Sequence, residues 1–357
     1  MIGVGIVGCN YGSTVLLPAF RTDPRCDVVA LAGTNAQHAA ELARRRNVPR
    51  GLGDWRELVE DADVAAIAIA VPPDIQPDIA RHALALGKPV FVEKPLAADL
   101  ASAQAMLASA LRSGRPTIID FEFPELASWR RAKDVLAEGG LGRLRHVVVT
   151  WNVENAATRL RLQSWKTRAH GGGGVLGNFV CHCFHYLEWF CGPISGLGGR
   201  LFALPGTEMQ TSIALALAFT SGAGGSLQMS CASYRGSGHR IELYGDDGTL
   251  VLDNPTGDYF RGFTLRHARR ADDTRLPAGT WHVETFPHEA GDASADSRIA
   301  PVSRLVHRFL DACAIGQAPS PGFAEGCRVQ YLIDAAERAH ASGCWIDIPA
   351  PGSEERA

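Results

Sequence analysis

The sequence predicts a doubly wound parallel α/β domain followed by an α+β domain with a mostly antiparallel sheet. Three observations lead there. The first third alternates short apolar strand signals with helical ones. A glycine-rich turn, Gly8-Cys9-Asn10-Tyr11-Gly12-Ser13, follows the first strand directly. Beyond Asp120, strand signals succeed one another without helices between them. Strand–helix alternation implies parallel strands with helices on both faces. Consecutive strands suit antiparallel pairing.

In chain order, Ile2 to Val7 reads as a buried strand and Thr14 to Thr22 as a helix. Val28 to Ala32 is a strand, Ala36 to Arg46 a helix and Trp55 to Glu60 a short helix. Val64 to Val71 is continuously apolar, as a strand buried on both faces should be. Ile75 to Leu86 is a helix, Pro89 to Val92 a strand, Leu100 to Ser113 a helix and Thr117 to Ile119 a strand. After the helix Leu126 to Glu138 come strands at His146 to Trp151, Ile213 to Phe219, Ser226 to Ser233, His239 to Tyr244 and Thr249 to Asp253. Gly245-Asp246-Asp247-Gly248 joins the last two as a hairpin turn. Ala268 to Ser297 is polar, carries Pro277 and Pro287, and reads as an insertion or surface loop. Val302 to Ala314 and Ala324 to Ala341 are terminal helices.

At 357 residues the chain exceeds the size at which single cores stop growing. The expected division is 1–120, 121–348 with terminal helices free to pack back on the first domain, and a tail at 349–357. A net charge of −3 gives no footprint for nucleic acid. Apolar runs fall far short of the ~20 residues a membrane helix needs. The N-terminus runs straight into a strand without the features of a secretory signal, so a cytoplasmic location is expected. Nine scattered cysteines fit reduced thiols better than a disulfide framework.

A strand, a glycine-rich turn and a helix N-terminus form the geometry that cradles a pyrophosphate in a Rossmann domain. Gly8, Cys9, Asn10, Tyr11 and Gly12 are therefore the candidate dinucleotide loop. The usual G-x-G-x-x-G is broken, with Asn10 at the second glycine and Ser13 at the third. Asparagine tolerates positive φ, which makes Asn10 a sensible replacement. Gly12→Asp is expected to abolish dinucleotide binding without unfolding, because a carboxylate would meet phosphate. The second strand ends Ala32-Gly33-Thr34-Asn35, with no acid to accept from a ribose 2′-hydroxyl. Thr34 and Asn35, helped by Arg44, are instead placed to donate to a 2′-phosphate. This favours NADP over NAD.

Gly87-Lys88-Pro89-Val90-Phe91-Val92-Glu93-Lys94-Pro95-Leu96 closely resembles the signature of the glucose–fructose oxidoreductase, inositol dehydrogenase and rhizopine-catabolism (Gfo/Idh/MocA) family. Further similarity lies at Val71-Pro72-Pro73, Gly171 to His185, Gly245 to Leu250 and Ala341 to Trp345, so it spans nearly the whole chain. The resemblance implies a Rossmann domain followed by a domain with a large open sheet. It also implies hydride transfer between a nicotinamide and a carbinol or carbonyl carbon, commonly of a sugar or cyclitol. Val71, Pro72, Glu93 and Lys94 would then border the cofactor.

Lys94 sits at the C-terminal end of a parallel strand, where ligands collect. A lysine there can stabilise charge on the reacting oxygen or exchange its proton. Glu93 is either structural or a partner that holds Lys94. In the family's second motif, this chain reads Gly172 to His185, and His182 matches the usual acid/base histidine. Asn178 stands where the family has an aspartate, and His185 where it has a second acid. On a helix Asn178, His182 and His185 share one face. His182 and Lys94 are expected to face one nicotinamide. A carboxylate would favour the protonated imidazole, whereas the Asn178 amide can only orient it; Asn178→Asp is expected to raise activity. Zinc binding by Cys181, His182, Cys183 and His185 is excluded, because neighbours on one helix point apart and cannot surround a metal.

Glu122 falls at the domain crossover and either binds a sugar hydroxyl or is a surface charge. Trp165-Lys166 is a candidate pair for stacking on and hydrogen-bonding a sugar. Gln76 stands where many relatives carry histidine and receives no role. The leading function is an NAD(P)-dependent dehydrogenase or reductase acting on a polyhydroxylated small molecule. A related enzyme using bound nicotinamide transiently for elimination or glycoside cleavage, and a non-catalytic dinucleotide sensor, are the alternatives. Strands such as Ile213 to Phe219 are apolar enough on both faces to call for a second layer, which points to a homodimer or homotetramer through that sheet.

Overall fold

A computed structural model of the chain describes residues 1–160, 162, 164–167, 171–270, 280–286 and 295–351. Two compact units are present: Met1–Glu122 with Gly291–Gln330, and Phe123–Ala290 with Tyr331–Ala357.

In the first unit, β1 (Ile2–Val7), β2 (Cys26–Ala32), β3 (Arg50–Leu52), β4 (Ala66–Ile69), β5 (Val90–Val92) and β6 (Thr117–Ile119) form one parallel sheet. The strand order β3-β2-β1-β4-β5-β6 is that of a Rossmann domain. Its reversal between β1 and β4 opens the crevice in which such sheets bind ligands. β4 is buried along its whole length, which explains its unbroken apolar sequence. The helices are α1 (Leu17–Phe20), α2 (Ala36–Arg45), α3 (Trp55–Glu60), α4 (Gln76–Ala85) and α5 (Leu100–Ser113). Side chains cap three of them: Asn35 Oδ1 accepts from the His38 N–H, Asp54 from Arg56 and Asp99 from Ser102. Gly114, in the left-handed region, ends α5. The first helical segment starts earlier than expected, with a wide turn over Gly12–Leu16 in which the Leu17 N–H reaches the Gly12 carbonyl. Pro18, in the next turn, has no N–H to give.

The second unit is built on nine strands: β7 (Leu144–Asn152), β8 (Ile194–Ala203), β9 (Gln210–Phe219), β10 (Gly224–Ser230), β11 (Gly238–Gly245), β12 (Gly248–Asn254), β13 (Thr264–Arg269), β14 (His282–Thr285) and β15 (Ile346–Asp347). They lie in the order β14-β13-β12-β11-β7-β10-β9-β8-β15. All neighbours are antiparallel except β7 and β10. β9 alternates cleanly: Thr211, Ile213, Leu215, Leu217 and Phe219 are buried, while Ala214 and Ala216 are exposed. The helices of this unit are α6 (Ala127–Ala137), the short α7 (Ala156–Arg159) and α8 (Cys181–Cys191). An aromatic cluster ties α6 and α8 to the sheet. Trp129 stands edge-on to Tyr186 at 4.9 Å, and Trp151 of β7 stacks on His239 of β11 at 4.2 Å.

The polar stretch from Ala268 to Ser297 is corrected by this topology. Ala268 and Arg269 complete β13, and β14 lies within the stretch and pairs with β13. His267 stacks on His282 across that pair at 5.1 Å, so cross-strand contacts specify strands that the polar composition concealed. Residues 271–279 and 287–294 of the stretch, and 352–357 of the tail, lie outside the described residues.

Two long helices follow, α9 (Ile299–Ile315) and α10 (Phe323–Ser342). Val302, Leu305, Val306, Phe309 and Leu310 of α9 enter the core of the first unit beside β1, α1 and Phe91. None of the nine cysteines is in a disulfide. Among the described residues, no helix is long and apolar enough to cross a membrane.

Candidate active site

The glycine turn follows β1 at the crevice. Gly8 has φ +120° and its N–H donates to the Ala32 carbonyl at 2.9 Å. A side chain here would strike the Ala70 carbonyl beyond β4, so both backbone shape and space demand glycine. Asn10 is exposed and is not in the positive-φ region, which corrects the reason given for it above. Its carbonyl accepts from the Ser13 and Thr14 N–H groups, both at 3.1 Å, and so starts the helix. Gly12 is buried, and a Cβ on it would lie 2.8 Å from Ile6 Cγ2. Gly12 thus does the work of the third glycine, letting the helix approach its strand. Gly12→Asp would consequently disturb packing as well as phosphate, and it is no clean probe of binding. Thr34 and Asn35 lie between β2 and α2, with Asn35 Oδ1 occupied as the cap. Arg44 is in the last turn of α2, at the other end from Asn35, which removes it as a helper for a 2′-phosphate there. Val71 and Pro72 form the turn into α4, the Pro72 carbonyl accepting from Ile75 and Gln76.

Lys94 follows β5 and is half-buried; its peptide bond to Pro95 is cis. The turn is gripped from α4. Gln76 is fully buried, and its Nε2 donates to the carbonyls of Glu93 (3.0 Å), Pro95 (2.9 Å) and Leu96 (3.3 Å). These carbonyls flank Lys94 on both sides. Its own N–H donates to Glu93 Oε2 at 3.2 Å.

Beside Lys94 lies a buried acidic group. Asp120 and Glu122 follow β6 and are 0% and 4% exposed. Tyr11, of the glycine turn, donates its hydroxyl to Asp120 Oδ2 at 3.0 Å. Burial, followed by the charges of Glu122 and Glu93, pushes the Asp120 carboxyl well above the carboxylate range. Glu122 is pushed up to about 8, by burial first and Glu93 second, with Lys94 acting in the opposite direction. Arg298, just before α9, lays its guanidinium 5.0 Å from the Tyr11 ring centre and is held by Asp296 through bonds of 2.8 and 2.6 Å.

In the second unit, a wide helical turn over Leu176–Val180 leads into α8. Asn178 and His182 are 8% and 6% exposed. Asn178 Nδ2 donates to the carbonyls of Lys166 (3.1 Å) and Gly174 (3.0 Å), which ties the Trp165–Thr167 turn to the start of α8. Aspartate could make neither donation and would set its charge against two carbonyl oxygens. The expected gain from Asn178→Asp is therefore offset by a lost anchor. His182 meets the Phe123 ring edge-on at 5.2 Å. Burial pushes His185 down to about 3, which keeps it neutral. Lys166 Nζ lies 5.7 Å from the Trp165 ring centre.

Residues 2–121 match the family described as "Oxidoreductase family, NAD-binding Rossmann fold", and residues 129–251 match the GFO/IDH/MocA C-terminal domain. The chain belongs to the Gfo/Idh/MocA family. It is 27% identical to an uncharacterised oxidoreductase of Synechocystis, over 97% of this chain and 96% of that protein. It is 25% identical to the levoglucosan dehydrogenase of Pseudarthrobacter phenanthrenivorans, over 89% of each. A solved levoglucosan dehydrogenase complex with NADH and levoglucosan superposes with a TM-score of 0.86 at 22% identity, covering 98% of this chain and 99% of that one. An oxidoreductase domain protein from Kribbella flavida gives 0.84 at 26% identity, with 98% and 99% coverage.

Within this Gfo/Idh/MocA chain, the first unit brings Tyr11, Glu93, Lys94 and Glu122 together. Thr34 and Asn35 stand apart from them, at the end of β2. The second unit brings Asn178 and the Trp165-Lys166 turn together. Gln76, Asp120 and Arg298 belong to the first cluster and were given no site role from sequence. Position 76 carried a signal, as a departure from histidine. Arg298 carried none, because its link to Tyr11 spans most of the chain.

Proposed function

We propose that the chain is an NAD(P)-dependent dehydrogenase or reductase acting on a CH–OH group of a sugar, cyclitol or similar polyhydroxylated molecule. The supporting observation is Lys94, held by Gln76 after β5 in the same crevice as the Gly8 turn. The turn fits a dinucleotide: Gly8 leaves room that a Cβ would fill, and a helix begins directly beyond it. When bound there, nicotinamide supplies the hydride acceptor or donor. Lys94 meets the reacting oxygen, stabilises its negative charge and takes or returns its proton. His182 is assigned as a second proton-exchanging group, Asn178 as the residue that fixes its helix, and Glu122 and Trp165 as residues lining the substrate's path. Following NAD(P)H absorbance with a panel of sugars and cyclitols tests this reading. Dinucleotide bound without turnover on any of them favours a sensor, and turnover without net NAD(P)H favours transient oxidation.

NADP is expected to bind at least as tightly as NAD, because no acid at Gly33-Thr34-Asn35 repels a 2′-phosphate. Asn10→Asp, an exposed change, should weaken both at least about tenfold by bringing a carboxylate to the phosphates. Fluorescence titration checks both points. NAD binding tenfold tighter than NADP would overturn the preference, and unchanged affinity in the variant the loop assignment.

The exposed face of β9, with Ala214 and Ala216, continues to exposed Phe202 on β8. We assign a second copy of the chain as its cover, by the reasoning that apolar patches of this kind are seldom left on monomers. Light scattering at micromolar concentration should give a dimer or tetramer; a monomer would count against this cover.

A further inference from the structure

Oxidising an alcohol removes a proton as well as a hydride, and Lys94 is only half-buried among groups that are more deeply enclosed. Those groups are acids. Burial, and then the neighbouring Glu122 and Glu93 carboxyls, push Asp120 up, which favours a proton on it. Its Oδ2 accepts from Tyr11, and its Oδ1 is buried with no hydrogen-bond partner among the described residues. Glu122 lies near enough to feel the charges of Glu93 and Lys94. Arg298, paired with Asp296, caps the cluster over the Tyr11 ring.

We propose that Glu122, Asp120 and Glu93, with the Tyr11 hydroxyl, form a buried proton-holding chain that takes the substrate's hydroxyl proton from Lys94 and returns it in the reductive direction. The proposal rests on Lys94 meeting that hydroxyl. In oxidation, an oxidised nicotinamide, when bound, would supply the acceptor for the carbinol hydride. The O–H bond breaks and its proton is taken up at Lys94 Nζ. The resulting ammonium gives a proton to Glu122 in its ionised fraction, which grows as pH rises toward about 8, leaving an amine and a carboxylic acid. The Asp120–Glu93 pair and Tyr11 continue the route toward Arg298. A carrier works best when both of its protonation states are accessible near the working pH. The position of Glu122, raised by burial and Glu93 and lowered by Lys94, provides that.

Infrared spectroscopy of the cofactor-free protein tests the chain without reference to turnover. The carbonyl stretch of a protonated carboxylic acid should be present at neutral pH and shift in D2O. It should weaken as pH rises through about 8, where Glu122 gives up its proton. Glu122→Gln should remove that titrating part, and Asp120→Asn should remove a further part. The same Glu122→Gln protein should turn over at least about tenfold more slowly, with an altered pH profile and near-normal dinucleotide affinity. No protonated-carboxyl band in the wild type, or a band and pH profile unchanged in both variants, would overturn the proposal. Failure of the Lys94 reading shows separately, as retained turnover in Lys94→Ala.

Discussion

Lys94→Ala is expected to lower turnover by at least ~100-fold, the usual loss for a proton-transfer or oxyanion-stabilising group. Lys94 is half-buried at the mouth of the sheet, and Gln76 holds its turn through backbone carbonyls. Thermal stability should therefore change little, which separates lost chemistry from lost fold. His182→Ala is expected to cost less, nearer tenfold, because Asn178 supplies no negative charge to favour an imidazolium. Initial rates at saturating dinucleotide, with melting curves alongside, measure both. Turnover of Lys94→Ala within threefold of the wild type would remove lysine from the mechanism. Equal losses in the two variants would give His182 a full share of the proton chemistry.

Gln76→Leu should have the second large effect, from a residue that touches no substrate. Leucine fills a similar volume but donates nothing, so the carbonyls of Glu93, Pro95 and Leu96 lose their common donor. Each buried carbonyl left unsatisfied costs about 1–3 kcal/mol, so the fold should lose roughly 3 kcal/mol or more. A displacement of Lys94 by ~1 Å is enough to cost on the order of 100-fold in rate. kcat should therefore fall more steeply than KM changes, and the melting temperature should drop with it. Gln76→His is the informative companion. Gln76 Oε1 is buried without a hydrogen-bond partner among the described residues. An imidazole keeps a donor and carries no such oxygen, so the histidine variant is expected to recover much of the turnover. Leucine and histidine variants with equal rates would show that the grip on the turn is irrelevant to catalysis.

These two residues mark the limit of what could be read from the chain alone. Lys94 announced itself through a local motif after a strand. Gln76 is eighteen residues away from it, and only tertiary packing reveals that its amide reaches the same turn. The same divide runs through the fold. Buried apolar strands and capped helices were legible because period and termini are local properties; β1, α3, α5 and β6 fall at the expected residues. β8 escaped notice because Gly196, Gly198 and Gly199 interrupt any strand pattern. The reason for two of those glycines lies near the C-terminus, where the Trp345 ring occupies the space that side chains at 196 and 198 would take. Asn10 teaches the converse. Its type suggested an unusual backbone angle, whereas Gly8 alone carries positive φ in that turn.

The contribution of α9 to the first unit sets an order of events during synthesis. Phe20, Phe91 and Phe309 form an edge-to-face triangle with ring centres 5.7 to 6.4 Å apart. Two corners of it leave the ribosome early, and the third emerges only after the 168 residues of Phe123–Ala290. At roughly 5–20 residues per second, that interval is on the order of 10–30 s. Throughout it, the apolar flank beside α1 and Phe91 has no α9 to cover it. A fragment ending at Glu122 would keep that flank permanently. The dinucleotide fold of this chain is thus sewn shut by its own last third, and it cannot be cut out as an independent module at the boundary its sequence advertises.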